Sequence, residues 1–457
     1  MSEIDFKLSK VLPAVFSIAL GMLLVMMDTT IMNVTLPHIQ AAFHANLASA
    51  QWTITAYTLA MATVIPFAGF LGTRFSDKRI FAGAVLLFTI TSFFAAHSAS
   101  LNSLIFWRII QGLAGGMVGP LGIGMSFKII PLEKRGSMMG ILGLPMLLAP
   151  TIGPALSGFL IQHFSWSTVF LINLPIGLIA LIFIIAFMPN FPANSANKID
   201  LTGAILSPFA FPFLIYGVHV GADKGWSNLT ALIFLIIGFI MLILFILTEL
   251  RSKNPLLNVR AFTFPEFSKG ISLMWLNQIV VFGSMLLIPL YLQSVQGFSS
   301  DKAGLMMVPQ ALASFVGMIV GGKLFDKFGA KSAALPGFIL GGISLILFAN
   351  INTTSSLTYI LSAIILLGFA QGLINMQVNN HALSAIPREK ISITTPLTNE
   401  MMQVVNSLAI AFLTAFLTHQ IKTSSNLTGF HHTFWLLTGF VIVGFILTGF
   451  LKTTKKS

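Results

Sequence analysis

The chain has 457 residues, of which 56% are hydrophobic and only 8% are Asp, Glu, Lys or Arg, against about 25% charged in an ordinary soluble domain. So few charges could not cover the surface of a water-soluble protein of this size, so lipid is the solvent for most of it; the mean hydropathy is +0.90. The net charge of +12 would suit nucleic acid, but the cations lie in short loops between apolar runs rather than on one patch, which excludes that partner. Cysteine is absent, which excludes disulfides, thiolate metal sites and a cysteine nucleophile.

Apolar runs long enough to cross a hydrocarbon core of about 30 Å, which takes roughly 20 residues, predict fourteen spanning helices. They lie near 13–36, 51–72, 80–98, 103–127, 137–162, 168–188, 201–221, 228–250, 269–293, 303–324, 332–350, 356–380, 393–420 and 433–451. The fold class is therefore all-α, because open strands cannot satisfy their backbone in lipid. The first run follows Glu3, Asp5, Lys7 and Lys10, is too long for a signal-peptide core and lacks a small-residue cleavage site, so it reads as a retained span. With both termini inside, Lys and Arg divide 21 to 3 between inner and outer segments, and Arg108 falls within a span. That asymmetry predicts cytoplasmic termini and an even number of spans.

Taken along the chain, ionisable and polar residues stand out against the apolar background. The first run carries Asp28 and the fourth Arg108. Asp28 lies ~22 Å from the inner end of its run and Arg108 ~8 Å from the outer end of its own, so an ion pair between them is geometrically allowed in a core of about 30 Å. A static lock between two helices and a pair made and broken by protons fit that placement equally. The ninth run holds Asn277 and Gln278. The twelfth holds Gln371, Asn375 and Asn379 at four-residue spacing, one polar face that suits helix-to-helix hydrogen bonding as well as cavity lining. In the thirteenth, Glu400 lies ~12 Å deep, with Gln403 and Ser407 on its face and Asn399 and Asn406 beside it. An acid at membrane depth is costly and marks a functional site by default, so Glu400 is the candidate proton carrier and attractor of cations. Met22, Met26, Trp52, Tyr57, Phe282 and Met285 suit an adaptable apolar wall, although ordinary packing against lipid or neighbouring helices accounts for any one of them. The nine histidines show no metal spacing, and no nucleotide loop or catalytic triad is present, so neither an enzyme nor a bound cofactor is expected.

The chain also repeats itself. The stretch Gly69-x-Leu71-x-Thr73-Arg74-Phe75-Ser76-x-Lys78 returns 253 residues later as Gly322-x-Leu324-x-Asp326-Lys327-Phe328-Gly329-x-Lys331. Gln111-Gly112-Leu113 returns at 371–373, and Ile130-Pro131-x-Glu133-Lys134 at 386–390. Three matches in the same order at nearly one offset predict two parallel six-helix units, residues 1–190 and 261–457, separated by an inserted helix pair within 191–260.

These motifs carry a family likeness over essentially the whole length. The chain resembles the major facilitator superfamily, specifically its fourteen-span drug:proton antiporter branch. Asp28 to Pro37, including Asn33, resembles the branch's first-helix signature. Gly69 to Arg79 resembles the cytoplasmic gate motif, and Arg108 to Gly112 the fourth-helix motif associated with proton coupling. Ala149 to Gly158 resembles the fifth-helix antiporter motif, and Ile172-Asn173-x-Pro175-x-Gly177 a sixth-helix start. Thr73 and Ser76 depart from the gate pattern, which usually has Asp and Gly there, and Ser157 replaces a customary Gly.

The resemblance implies two six-helix bundles plus an inserted pair, exporting lipophilic, often cationic, compounds against protons in a bacterial cytoplasmic membrane. A dedicated exporter of one metabolite, lipid or antibiotic is the alternative. The driving force would be the proton gradient, the partners small substrates, protons and membrane lipids, and the protein a monomer. Proton coupling would fall to Asp28, Arg108 and Glu400. Substrate contacts would come from Met26, Asn33, Trp52, Tyr57, Gln111, Asn277, Gln278, Phe282, Gln371, Asn375, Asn399, Glu400 and Gln403. Gating would involve Gly69, Arg74, Asp77, Arg79, Gly153, Pro154, Gly158, Asp326 and Gly329. A membrane receptor or lipid-modifying enzyme would show a cytosolic domain or an interfacial cluster of polar residues, and neither is visible.

Overall fold

A computed structural model describes residues 8–131, 134–135, 138, 142–143, 149, 153, 156–193 and 200–452. Every regular element among them is helical. Helix α1 (Leu8–Ala42) is followed by α2 (Leu47–Val64), which passes through a 3-10 turn at Ile65–Phe67 into α3 (Ala68–Phe75). Next come α4 (Asp77–Ala96), α5 (Leu101–Ile129), the short α6 (Thr168–Leu171) and α7 (Asn173–Phe187). The inserted pair is α8 (Leu201–Lys224) and α9 (Leu229–Arg251). The remainder is α10 (Pro265–Ser294), α11 (Ser300–Leu305), α12 (Val308–Phe328), α13 (Ala330–Ala349), α14 (Leu357–Ser384), α15 (Ile391–Thr423) and α16 (Asn426–Gly449).

Thirteen helical segments among the described residues are long and apolar enough to cross a membrane, and they coincide with thirteen of the fourteen predicted runs. The fifth run, 137–162, lies largely outside the described residues. The seventh run remains one helix, α8, although Pro208 and Pro212 lie inside it; packed membrane helices tolerate proline because their surroundings re-satisfy the freed carbonyls. In the second run Pro66 coincides with the tighter turn between α2 and α3. Starts follow ordinary capping chemistry: Asn46, Ser100, Asp200, Asn228, Ser299, Ser356 and Ser425 each accept from a backbone N–H in the first turn.

Close approach fixes the helix pairs. A Cβ at Gly112 of α5 would collide with the Tyr57 carbonyl of α2, and one at Gly372 of α14 with the Ser314 carbonyl of α12. The same repeat position therefore lets backbones meet in both parts of the chain. The helix pair α8–α9 lies against α2 and α15 through α8, while α9 turns Ile236, Phe239, Ile240 and Ile243 outward, as expected of a helix bathed in lipid.

The repeat extends to backbone strain and capping. Ser76 has φ +86° and Gly329, its copy 253 residues on, has φ +83°; each breaks the chain between two helices. Lys78 Nζ donates to the Met188 carbonyl at 2.6 Å beyond the end of α7. Its copy Lys331 donates to the Gly449 carbonyl at 2.7 Å at the end of α16. A cation at a helix C-terminus satisfies a free carbonyl and the helix dipole together.

Candidate functional site

Two polar centres occupy the membrane interior, and they differ in kind. The first is built around Asp28, near the middle of α1. Arg108 Nη1 donates to Asp28 Oδ2 at 2.5 Å and to Gln111 Oε1 at 2.7 Å. Arg108 Nε donates to the Thr53 carbonyl at 3.0 Å, and the guanidinium lies over the Tyr57 ring, 4.1 Å from its centroid. Gln111 Nε2 reaches Asp28 Oδ1 at 3.3 Å and Ser92 Oγ at 2.6 Å. Asn173 Nδ2 sits 3.2 Å from both Asp28 Oδ1 and Ser92 Oγ. The carboxylate thus receives donors from α5 and α7, with α4 bracing them. Asp28 and Arg108 are each 1% exposed, so this is a dry, closed network.

Gln111 therefore does not line a substrate wall as expected; it is a member of the network, fully buried. Tyr57 also leaves the expected wall and serves as the face beneath Arg108. Ser92 was not anticipated, and Asn173 appeared only as part of a helix-start motif. An amide inside an apolar run was the available signal for Asn173; nothing local distinguished Ser92.

The second centre is Glu400 on α15. It is fully buried, and neither carboxyl oxygen has a hydrogen-bond partner among the described residues. Leu397, Met401 and Val404 on one side of it pack with Ala210, Phe211 and Phe245 of the inserted pair. On the other side Asn399 approaches α5 at Gly119 and donates to its own helix at the Thr395 carbonyl. Gln403 and Asn375 are half-buried, as are Gln278 and Phe282 on α10. Asn277 is buried with its amide nitrogen unpartnered. Gln371 accepts from Gln310 Nε2 and donates to Ser284 Oγ, both at 3.1 Å. A neutral amide cluster thus stands at the repeat copy of Gln111, where the first part of the chain has charges.

Two members of the expected apolar wall are placed elsewhere. Trp52 is 42% exposed, with its ring 5.8 Å from Tyr216 of α8, so it looks toward the inserted pair. Met285 is exposed on α10. Met26 is half-buried in the apolar cluster around Met27 and Ile31. The side chain of Asn33 and all of Pro154 lie outside the described residues.

The gate-motif residues lie at or near helix ends. Asp77 is buried and accepts from Lys128 Nζ at 2.5 Å. Arg74 and Asp326 are half-buried, and Arg79 is exposed. Gly69 abuts the Ser392 carbonyl at the start of α15 so closely that a Cβ would overlap it. Asn258, just after the inserted pair, donates from its backbone to the Ile393 carbonyl at 3.0 Å and from its side chain to Thr394 Oγ1 at 2.9 Å. The N-terminal end of α15 is thus held by both α3 and the segment after α9. In the fifth run, Gly153 meets the Thr30 side chain, whereas a Cβ at Gly158 would meet nothing within 4 Å among the described residues; close packing accounts for the first glycine. Glu249, missed because it closes the eighth run, is buried and accepts from the Leu257 N–H at 3.1 Å.

Long apolar helices with lipid-facing exteriors and a few buried ionisable groups define a multi-pass membrane protein of the transporter class. The sequence pattern of the Major Facilitator Superfamily matches residues 18–412, and the chain belongs to that superfamily. A lincomycin resistance protein of Bacillus subtilis is 31% identical over 406 residues, covering 88% of this chain and 84% of that protein. A multidrug resistance protein B homolog of Mycobacterium tuberculosis is 31% identical over 401 residues, covering 87% and 74%. Among solved structures, a proton:xylose symporter superposes with a TM-score of 0.69 at 15% identity, covering 98% of each chain. That likeness concerns the fold alone.

Proposed function

We propose that the protein is a proton-coupled antiporter that exports lipophilic, often cationic, drugs or toxic compounds across a bacterial cytoplasmic membrane by alternating access. The observation that carries the reading is Glu400: a fully buried carboxyl group with no cation and no donor within hydrogen-bonding distance among the described residues. A carboxylate left alone in an apolar interior costs several kcal/mol, and a proton is the counter-ion that fits the space. A cationic substrate arriving at the same carboxylate would exchange with that proton.

The fold is taken as two six-helix units, 1–190 and 261–457, rocking about an insert within 191–260, with both termini cytoplasmic. Opening inward separates Gly69 from Ser392, while Asp28 and Arg108 hold α1 to α5 or part as protons arrive. The proton gradient drives the cycle without a cofactor, in a monomer surrounded by lipid. The names of the lincomycin and multidrug resistance relatives support export of small molecules. The former also favours a second reading, a dedicated exporter of one antibiotic.

Purified protein reconstituted into proteoliposomes tests both readings. Proton release on adding several unrelated lipophilic cations supports the first, and release with a single compound the second. No release with any cation or neutral drug would contradict coupled antiport.

A further inference from the structure

A cavity of about 240 Å³ lies where the inserted helix α8 meets α2 and α15. Ile54, Leu59, Ile215, Val218, Ile410 and Ala411 make its wall largely apolar. Its polar side chains fall into two groups. Thr58 and Ser407 donate to carbonyls one turn back in their own helices, at 3.1 and 3.0 Å, and need nothing from the cavity. Thr55, Tyr216 and His219 also line it, yet their polar atoms have no hydrogen-bond partner among the described residues. Thr55 is only 8% exposed, whereas Tyr216 is half-buried and His219 is exposed, so the unmet hydrogen bond that matters is chiefly that of Thr55. In a membrane protein such groups have little water to turn to, and leaving them unsatisfied is unfavourable.

We infer that this cavity is a binding site for a small lipophilic molecule bearing a hydroxyl or carbonyl group. Its apolar body fills the space between Ile54, Ile215 and Ala411, and its polar group bonds with Thr55, the buried member of the three, with Tyr216 and His219 alongside. The volume is below the roughly 300 Å³ at which drug-sized pockets begin, so it accommodates one ring system or a short branched chain. On the proposed orientation the site lies in the outer half of the membrane: Thr55 is ~12 Å into the outward-starting α2, and His219 ~8 Å from the outer end of α8. Its floor joins the polar stripe of α15. Glu400, Gln403, Ser407 and Ala411 recur at helical spacing on one face, with Glu400 ~10 Å below Ser407. The inserted pair thereby acquires a role: α8 forms one wall of the site.

Because the readout is occupancy, the test does not depend on coupled transport. Proteoliposomes are photolysed with a phenol carrying a trifluoromethyl-diazirine and, separately, with phosphatidylglycerol carrying a diazirine on an acyl chain; labelled peptides are mapped by mass spectrometry. We expect the phenol to label residues within 51–59, 215–222 and 407–411. Ala411→Trp, which fills the space, should abolish that labelling. Thr55→Val keeps the volume, removes the hydroxyl and guards against misfolding of the larger change; it should lower apparent affinity roughly fivefold. Phenol labelling confined to other helices, or equal in the wild type and Thr55→Val, would overturn the assignment. So would labelling of these peptides by the acyl-chain probe that the phenol fails to displace, since the cavity would then be a seat for bilayer lipid.

Discussion

The guanidinium of Arg108 meets the carboxylate of Asp28 at 2.5 Å with both side chains 1% exposed, joining α5 to α1 across a dry interior. Removing one partner leaves the other as an uncompensated buried charge, which costs about 3–5 kcal/mol. Asp28→Asn should therefore lower the detergent-solubilised protein's thermal midpoint sharply. Asp28→Asn combined with Arg108→Gln should recover much of the loss, because neither charge is then stranded. Equal midpoints for the double variant and the worse single variant would show that the pair contributes nothing beyond its separate charges.

Ser76 occupies a left-handed conformation that glycine takes at its repeat copy, Gly329. A side chain there costs about 1–2 kcal/mol. Ser76→Gly should raise thermal stability by about that much, and Gly329→Ala should lower it comparably. Unfolding followed by tryptophan fluorescence reads both, and a destabilising Ser76→Gly would show that the Ser76 side chain contributes more than its backbone strain costs.

Gly69 meets the Ser392 carbonyl where α3 crosses the N-terminal end of α15. Gly69→Val cannot keep that approach, so it should populate conformations in which the two helices part. A single cysteine introduced at Asn399, in a chain that has none, reports the change. Labelling by a polar maleimide from the cytoplasmic face should quicken at least several-fold in Gly69→Val, by analogy with an interface that opens as a unit. Unchanged labelling would mean that the contact does not guard access to Asn399.

Hydropathy and cation placement made the spans legible because lipid imposes length and polarity on every crossing segment, prolines included. The internal repeat was equally legible, and Ser76/Gly329 and Lys78/Lys331 give it structural content. Depth matching alone placed Asp28 opposite Arg108. The shell around that pair was harder to read: Ser92 and Asn173 come from helices remote in sequence, and no local spacing ties them to Asp28. Gln111 and Tyr57 looked like cavity residues because polarity or aromaticity in a span does not say which neighbour it faces. Trp52 illustrates the same limit, since its contact with Tyr216 depends on where the inserted pair docks. Glu249 escaped notice because a carboxylate at the end of an apolar run looks interfacial until its loop folds over it.

Glu400→Gln keeps the side chain's shape and removes the group that can carry a proton. In proteoliposomes with a trapped pH indicator, wild-type protein should release protons when a lipophilic cation is added. Glu400→Gln should release none, while retaining the wild-type unfolding free energy within roughly 1 kcal/mol, since no charged partner is left behind. Full substrate-induced proton release from Glu400→Gln would contradict the assignment of Glu400 as the proton carrier.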